Sequence, residues 1–206
     1  ETFRISLVVK TFKGKKEAPE HVMWIMGRSK EDSADLFVQF DEPKDSKGLR
    51  FLFQVKSKQE PKAFMYLPTT RKTVPLGMEN PSIALGGTGL TMEDIQGFIP
   101  KSGEKENLLR EETVEGRDCY VIQIILPEGK GERLLWVSKK DFLVIKSQHV
   151  DSQGNVKRTF QVVEFFKTEK GREFPREEEI VIPEKNTRIR LRQDNAVFGI
   201  EIPEEL

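Results

Sequence analysis

The stretch that looks most like chemical machinery is "LGGTGLTMEDI", where Gly86, Gly87 and Gly89 cluster ahead of a short amphipathic segment. Glycine loops of this kind cradle phosphates, so the two nucleotide patterns are the first to try. A phosphate loop ends on Lys followed by Ser or Thr, and here Gly89 is followed by Leu90 and Thr91. A dinucleotide loop needs a further glycine where this chain has Met92, and it needs a parallel strand–helix–strand setting. Neither fits. The cluster reads instead as a hinge, since glycine adopts backbone angles that other residues resist.

The other reactive side chains form no constellation. Of the two histidines, His149 lies in a strand pattern and His21 at a strand start, and neither has a Glu-x-x-His partner for zinc. Both read as surface or edge residues. No Gly-x-Ser-x-Gly elbow occurs. The acidic runs Glu177 to Glu179 and Arg110 to Glu112 flank strand patterns and read as solvated faces, although carboxylates on distant strands of a sheet are free to meet. The one cysteine, Cys119, excludes an internal disulfide framework and a cysteine-based zinc cluster. Within "CYVIQIIL" it reads as a buried, inert thiol. The expectation is a protein without catalytic residues, metal or cofactor.

The elements that would position any site are strands. Alternation with period two runs through "TFRISLVVKTF", where Phe3, Ile5, Leu7 and Val9 share a face, and "LRFLFQVKS", where Leu49, Phe51, Phe53 and Val55 do. "VMWIMG", "ADLFVQF", "FMYL", "RLLWVS", "FLVIKSQHV" and "VKRTFQVVEFF" repeat it, with weaker runs near "EEIVIP", "TRIRLRQ" and "VFGIEIP". Turn-formers separate them, among them "EPKDSKG", "VEGRD", "PEGKGE" and "DSQGN". Short strands at this spacing predict one antiparallel β domain, a sandwich or barrel, over residues 1–206. One helical pattern interrupts it. From Thr91, "TMEDIQGFI" places Met92, Ile95, Phe98 and Ile99 on one face, with Thr91 as N-cap and Asp94 three residues on, close to a capping box. Thr69 to Leu90 is then a long loop and hinge.

Lys and Arg number 34 and Asp and Glu number 34, interleaved rather than in blocks. That argues against nucleic acid or an anionic membrane as main partner, since both select a local basic excess. No apolar run approaches the roughly 18 residues that a membrane-spanning helix needs. Aromatic and methionine residues concentrate on candidate strands. Ordinary core filling explains most of them, but a sheet curling around a cavity uses the same residues to line it. On that reading Trp24, Phe51, Phe53, Met65 and Trp136 are the cavity wall, and Met92, Ile95, Phe98 and Ile99 are the lid.

Five blocks in this order carry a family resemblance: "FDEPKDSKGLRFLF", "KAFMYLPTTRKTVPL", "GGTGLTMEDI", "VEGRDCYVIQI" and "LLWVSKKDFLVIKSQHVDSQGNVKRTF". Together they resemble the outer-membrane lipoprotein-sorting proteins, relatives of the periplasmic carrier LolA and its receptor LolB, from about Phe40 to Phe160. The resemblance implies an incomplete antiparallel β-barrel, a half-barrel, with short lid helices over an apolar cavity. It implies a bacterial periplasmic protein that binds lipid or lipoprotein acyl chains and works with a membrane transporter or another envelope protein. Family members begin with an N-terminal helix and this chain begins in a strand pattern, so a helix and a signal or lipid-anchor segment are expected ahead of Glu1. No residue of the family's lid-switching machinery maps onto a local motif here. A periplasmic sensor or adaptor that reads a lipid or lipoprotein signal is the alternative, and a lipid-acting hydrolase a more distant one.

Overall fold

The structure is a computed structural model that describes residues 2–202 except 57, 58, 60, 78–84, 93, 95–103, 168–170 and 172. It is built of strands: β1 (Thr2–Lys13), β2 (Lys16–Glu17), β3 (His21–Ser29), β4 (Ser33–Glu42), β5 (Arg50–Lys56), β6 (Lys62–Leu67) and β7 (Lys72–Leu76), followed by β8 (Lys105–Val114), β9 (Arg117–Ile125), β10 (Glu132–Ser138), β11 (Val144–Val150), β12 (Val156–Lys167), β13 (Glu173–Ile182) and β14 (Thr187–Phe198). They form one open antiparallel sheet in the order β7-β6-β5-β4-β3-β1-β14-β13-β12-β11-β10-β9-β8, with β2 paired to β1. The sheet is not closed into a barrel. Apart from two single-turn 3-10 segments, Pro127–Gly129 and Pro183–Lys185, helical backbone is confined to Met92 and Asp94 among the described residues.

Within β3 to β7 and within β8 to β14, strands that follow one another in sequence lie side by side, several of them joined by tight turns. In "DSQGN" the Asp151 carboxylate accepts the backbone N–H groups of Gln153 and Asn155, both at 2.9 Å. Those hydrogen bonds, with the Asn155 backbone bond the largest cause, draw its pKa down to about 2. Across "PKDSKG" the Gly48 N–H donates to the Phe40 carbonyl at 2.8 Å, with Gly48 at φ +81, an angle that favours glycine.

The chain divides into two compact units. The first comprises residues 1–11, 18–97 and 191–206 and so holds β3 to β7 with most of β1. Its buried residues include Leu7, Val9, Met23, Val38, Phe40, Phe51, Phe53 and Ala63. The second comprises residues 12–17 and 98–190. Cys119, Val121, Trp136 and Ile145 form a buried cluster there, with Val114, Leu134, Leu143 and Phe165 packed against it. Burial also pushes the Cys119 thiol pKa up, as an inert structural thiol requires. In the same unit Arg133 and Glu104 form an ion pair at 2.7 Å with side chains 7% and 2% exposed.

An apolar sheet face in the first unit

Paired residues in an antiparallel ladder point to the same face, so register decides what the first unit presents. One row runs Ile5, Ile25, Val38, Phe51, Met65, Val74 across six strands. The next runs Phe3, Gly27, Leu36, Phe53, Ala63, Leu76. On the other side of the first row lie Leu7, Met23 and Phe40, then Val9 and His21. These rows contain no charged residue; Lys72, opposite Leu67, is the first at the rim. The Phe51 and Phe53 rings lie nearly parallel, 6.2 Å apart and 8° from coplanar, and Phe40 meets Phe51 edge-on at 5.9 Å. Such contacts hold the aromatic rings in defined orientations.

The opposite face is mixed: Met26, Phe37, Leu52, Phe64 and Pro75 form an apolar row across β3 to β7, with polar and charged residues beside it. Trp24 stands there between Ser6 and Gln39, with the Arg4 guanidinium 5.0 Å over its ring. Arg50 covers Tyr66 in the same way at 5.3 Å, and Arg28 binds Asp35 at 2.7 Å. Of the five wall candidates, then, Phe51, Phe53 and Met65 share one face. Trp24 points away from them, and Trp136 belongs to the second unit's own cluster.

The segment expected to be a hinge holds two surprises. Residues 72–76 form β7, which the single apolar-polar alternation of "KTVPL" around Pro75 was too short to announce. The glycine cluster is a packed turn rather than a free one. Leu85, Thr88, Leu90 and Met92 are all buried. The Leu85 N–H donates to the Leu90 carbonyl at 2.8 Å, and the Thr88 hydroxyl donates to the Leu85 carbonyl at 2.7 Å. Thr11 of β1 then donates its hydroxyl to the Thr88 carbonyl at 2.6 Å, fastening the turn to the sheet. Gly86, Gly87 and Gly89 all have positive φ. Leu85, Thr88 and Leu90 went unnoticed as site residues because short apolar residues among glycines have no periodicity to read.

His21 meets this turn. It does begin a strand, but it is 6% exposed, not a surface residue, and its ring stands edge-on to Phe40 at 6.1 Å. Burial lowers its pKa, partly offset by backbone hydrogen bonds at Gly86 and Pro19. The imidazole is therefore neutral near pH 7, which keeps this face without charge.

At the start of the lid segment the capping arrangement is present with Asp in the Glu position. The Thr91 N–H donates to Asp94 Oδ2 at 2.7 Å and the Asp94 N–H to Thr91 Oγ1 at 3.4 Å. Met92 is fully buried. Ile95, Phe98 and Ile99, the other three lid candidates, lie outside the described residues. Among the described residues no group of three or more His, Cys, Asp or Glu side chains could hold a metal ion, and no helix is long and apolar enough to cross a membrane.

The chain is thus a long antiparallel sheet, open rather than closed, with a buried turn fastened to one apolar face of its first unit. Solved structures share this fold. A putative outer membrane lipoprotein-sorting protein domain from Vibrio parahaemolyticus superposes with a TM-score of 0.85 at 16% identity, over 99% of this chain and 88% of that one. A LolA superfamily protein from Nitrosomonas europaea gives 0.71 at 17%, over 100% and 89%. A DUF1329 family protein from Desulfovibrio piger gives 0.86 at 17%, over 98% and 88%. At such identities the likeness is one of fold. A family model described as "-like: Uncharacterized protein" matches residues 32–206, and the chain belongs to that family. No curated protein matches the sequence.

Proposed function

We propose that this protein binds the acyl chain of a lipid or lipoprotein in the bacterial cell envelope, as a carrier rather than a catalyst. The observation that supports it is the uncharged face of β1 and β3 to β7, two rows of aliphatic and aromatic side chains six strands wide. An acyl chain needs a long surface without charge, and this face supplies one. Phe51, Phe53 and Met65 are the wall residues of this reading, and the segment that begins at Met92 is its cover. The sulfur chemistry of Met65 suits a surface that accepts chains of varied shape, because the unbranched thioether adapts its rotamers. The periplasm is the proposed compartment. The lipoprotein-sorting and LolA superfamily structures that share the fold support the acyl-chain reading.

A fluorescent fatty acid tests the proposal. Wild type is expected to bind it, and Met65→Glu to bind on the order of ten- to a hundredfold more weakly. Loss of one large apolar contact is worth about 1.5–3 kcal/mol, and about 1.4 kcal/mol is tenfold. Met65 is half-buried on strand β6, so Met65→Glu should remain folded, and its melting temperature is measured alongside. Absence of binding by wild type, or equal affinity in the folded variant, overturns the assignment.

A further inference from the structure

The two apolar rows of the first unit hold one position without a side chain. Gly27 of β3 stands in the second row between Phe3 of β1 and Leu36 of β4. Its backbone does not call for glycine, because its φ lies outside the left-handed region. What glycine does there is admit a ring. A Cβ on Gly27 would stand 2.2 Å from Phe3 Cε1 and 2.3 Å from its Cζ, so the edge of the phenyl ring occupies the place where a side chain would begin. Strand side chains stand roughly perpendicular to their sheet. A ring that reaches the neighbouring strand's Cβ position leans along the row instead and fills the depression over Gly27.

The ring is also held from β14. Phe198 meets it with centroids 6.5 Å apart and planes tilted by 45°. The backbone around the pair is fastened as well: the Gly199 N–H donates to the Thr2 carbonyl at 2.8 Å, and the Thr2 hydroxyl to the Ile200 carbonyl at 2.6 Å. The two ends of the apolar rows therefore differ. At the β7 end they finish on Val74 and Leu76, and the first charge beyond them is Lys72. At the β1 end the second row finishes on a half-buried aromatic ring laid across its neighbour.

We propose that Phe3 is the end wall of the acyl-chain site and sets the length of chain the protein holds, an inference that rests on the acyl-chain reading. The chain runs along the rows, across the strands, with its polar head at the β7 rim beside Lys72 and its methyl end against the Phe3 ring. A small residue in place of Phe3 uncovers the depression over Gly27 and lengthens the site by about one strand spacing, roughly 4.8 Å. A ring over a strand glycine also shields bare backbone, which is a purely structural role. That role alone predicts a loss of stability with no change in the length of chain bound.

Saturated fatty acids of increasing length, each below its micelle concentration, provide the probe by displacing a bound fluorescent fatty acid. Each further buried methylene strengthens binding about fourfold until the wall is reached, and the gain then stops. In Phe3→Ala the gain is expected to continue for about two to four more carbons, in keeping with the strand spacing of roughly 4.8 Å. Adding Gly27→Val refills the depression from β3 and should return the limit towards the wild-type length. Melting temperatures are measured alongside. If Phe3→Ala is unfolded at the assay temperature, Phe3→Leu carries the test, with a smaller shift in the same direction. The same limit in wild type and in the folded variant overturns the inference, whether or not stability falls, and leaves the ring as cover for the glycine backbone. An equal loss of affinity at every length overturns it too, since Phe3 is then an ordinary contact. So does a wild-type affinity that still rises at the longest chain. Failure of wild type to bind any chain is a different result: it removes the acyl-chain reading itself, and this inference with it.

Discussion

Gly86 lies so close to Phe40 that a Cβ on it would stand 2.6 Å from the ring's Cε1. The ring cannot easily retreat. Phe40 is fully buried, with His21 edge-on to one side and Phe51 to the other. The glycine turn is thus fitted to the apolar face of the first unit by a contact that excludes every other residue type.

Gly86→Ala is therefore expected to destabilise the protein by roughly 2–5 kcal/mol. The left-handed angle, φ +56, contributes about 1–2 kcal/mol and the overpacked contact about 1–3. Gly154→Ala is the control, since Gly154 also has positive φ but nothing within 4 Å of the added methyl. It should cost the backbone part alone. Urea denaturation of the two variants separates the contributions. Equal losses would mean that Phe40 yields freely and that the turn is not tightly fitted.

The pH dependence of stability should carry a signature of His21. Its folded pKa is lowered from 6.5, so the unfolded chain binds the proton more readily than the folded one. Its contribution is complete above about pH 6.5 and is lost as pH falls below that value. The carboxylates whose pKa values are lowered, Glu112, Glu128, Asp151 and Glu173, act in the same direction but at lower pH, from the ordinary carboxylate range downward. Between pH 7.5 and 5.5 the urea midpoint of wild type should drop, and His21→Gln should flatten that drop. A midpoint that rises on acidification would show that the folded protein favours the imidazolium.

Two ion pairs of similar length should differ widely in worth. Arg133 and Glu104, at 2.7 Å, are almost completely buried, whereas Arg110 and Glu112, at 2.8 Å, are 51% and 37% exposed. Removing one buried partner leaves a charge in a site with little water, at a cost of about 3–5 kcal/mol. Removing one member of an exposed pair costs far less, because water and salt screen the charge that is left. Chemical denaturation of Glu104→Gln and Glu112→Gln provides the comparison. A double replacement of Arg133 and Glu104 by Met and Leu should recover much of the loss. Failure to recover it would show that the pair's surroundings need its polarity.

The strands were legible because their signal is local. Alternation with period two depends only on where successive side chains point, and it correctly grouped Phe51 with Phe53 and Phe3 with Ile5, Leu7 and Val9. Turn chemistry is local too, which is why "VEGRD", "PEGKGE" and "DSQGN" separate strands as expected. The reciprocal bonds between Thr91 and Asp94 arise from a spacing of three residues and could likewise be read directly. β7 escaped because five residues around a proline give too short a pattern.

What tertiary structure alone decided is which faces coincide. Trp24 is as aromatic as Phe51, yet the register of β3 against β4 pairs it with Gln39 and sends it to the opposite side. A shift of one residue exchanges the two faces of a strand, and no local feature of "HVMWIMG" states its register. The burial of Arg133, the neutral His21 between the glycine turn and Phe40, and the gap that Gly86 leaves for Phe40 are likewise meetings of residues distant in sequence. Chain pattern determined that this protein would be a sheet whose strands carry apolar residues to bury. Only the pairing of the strands, set by hydrogen-bond register, decided which side chains would form one face together.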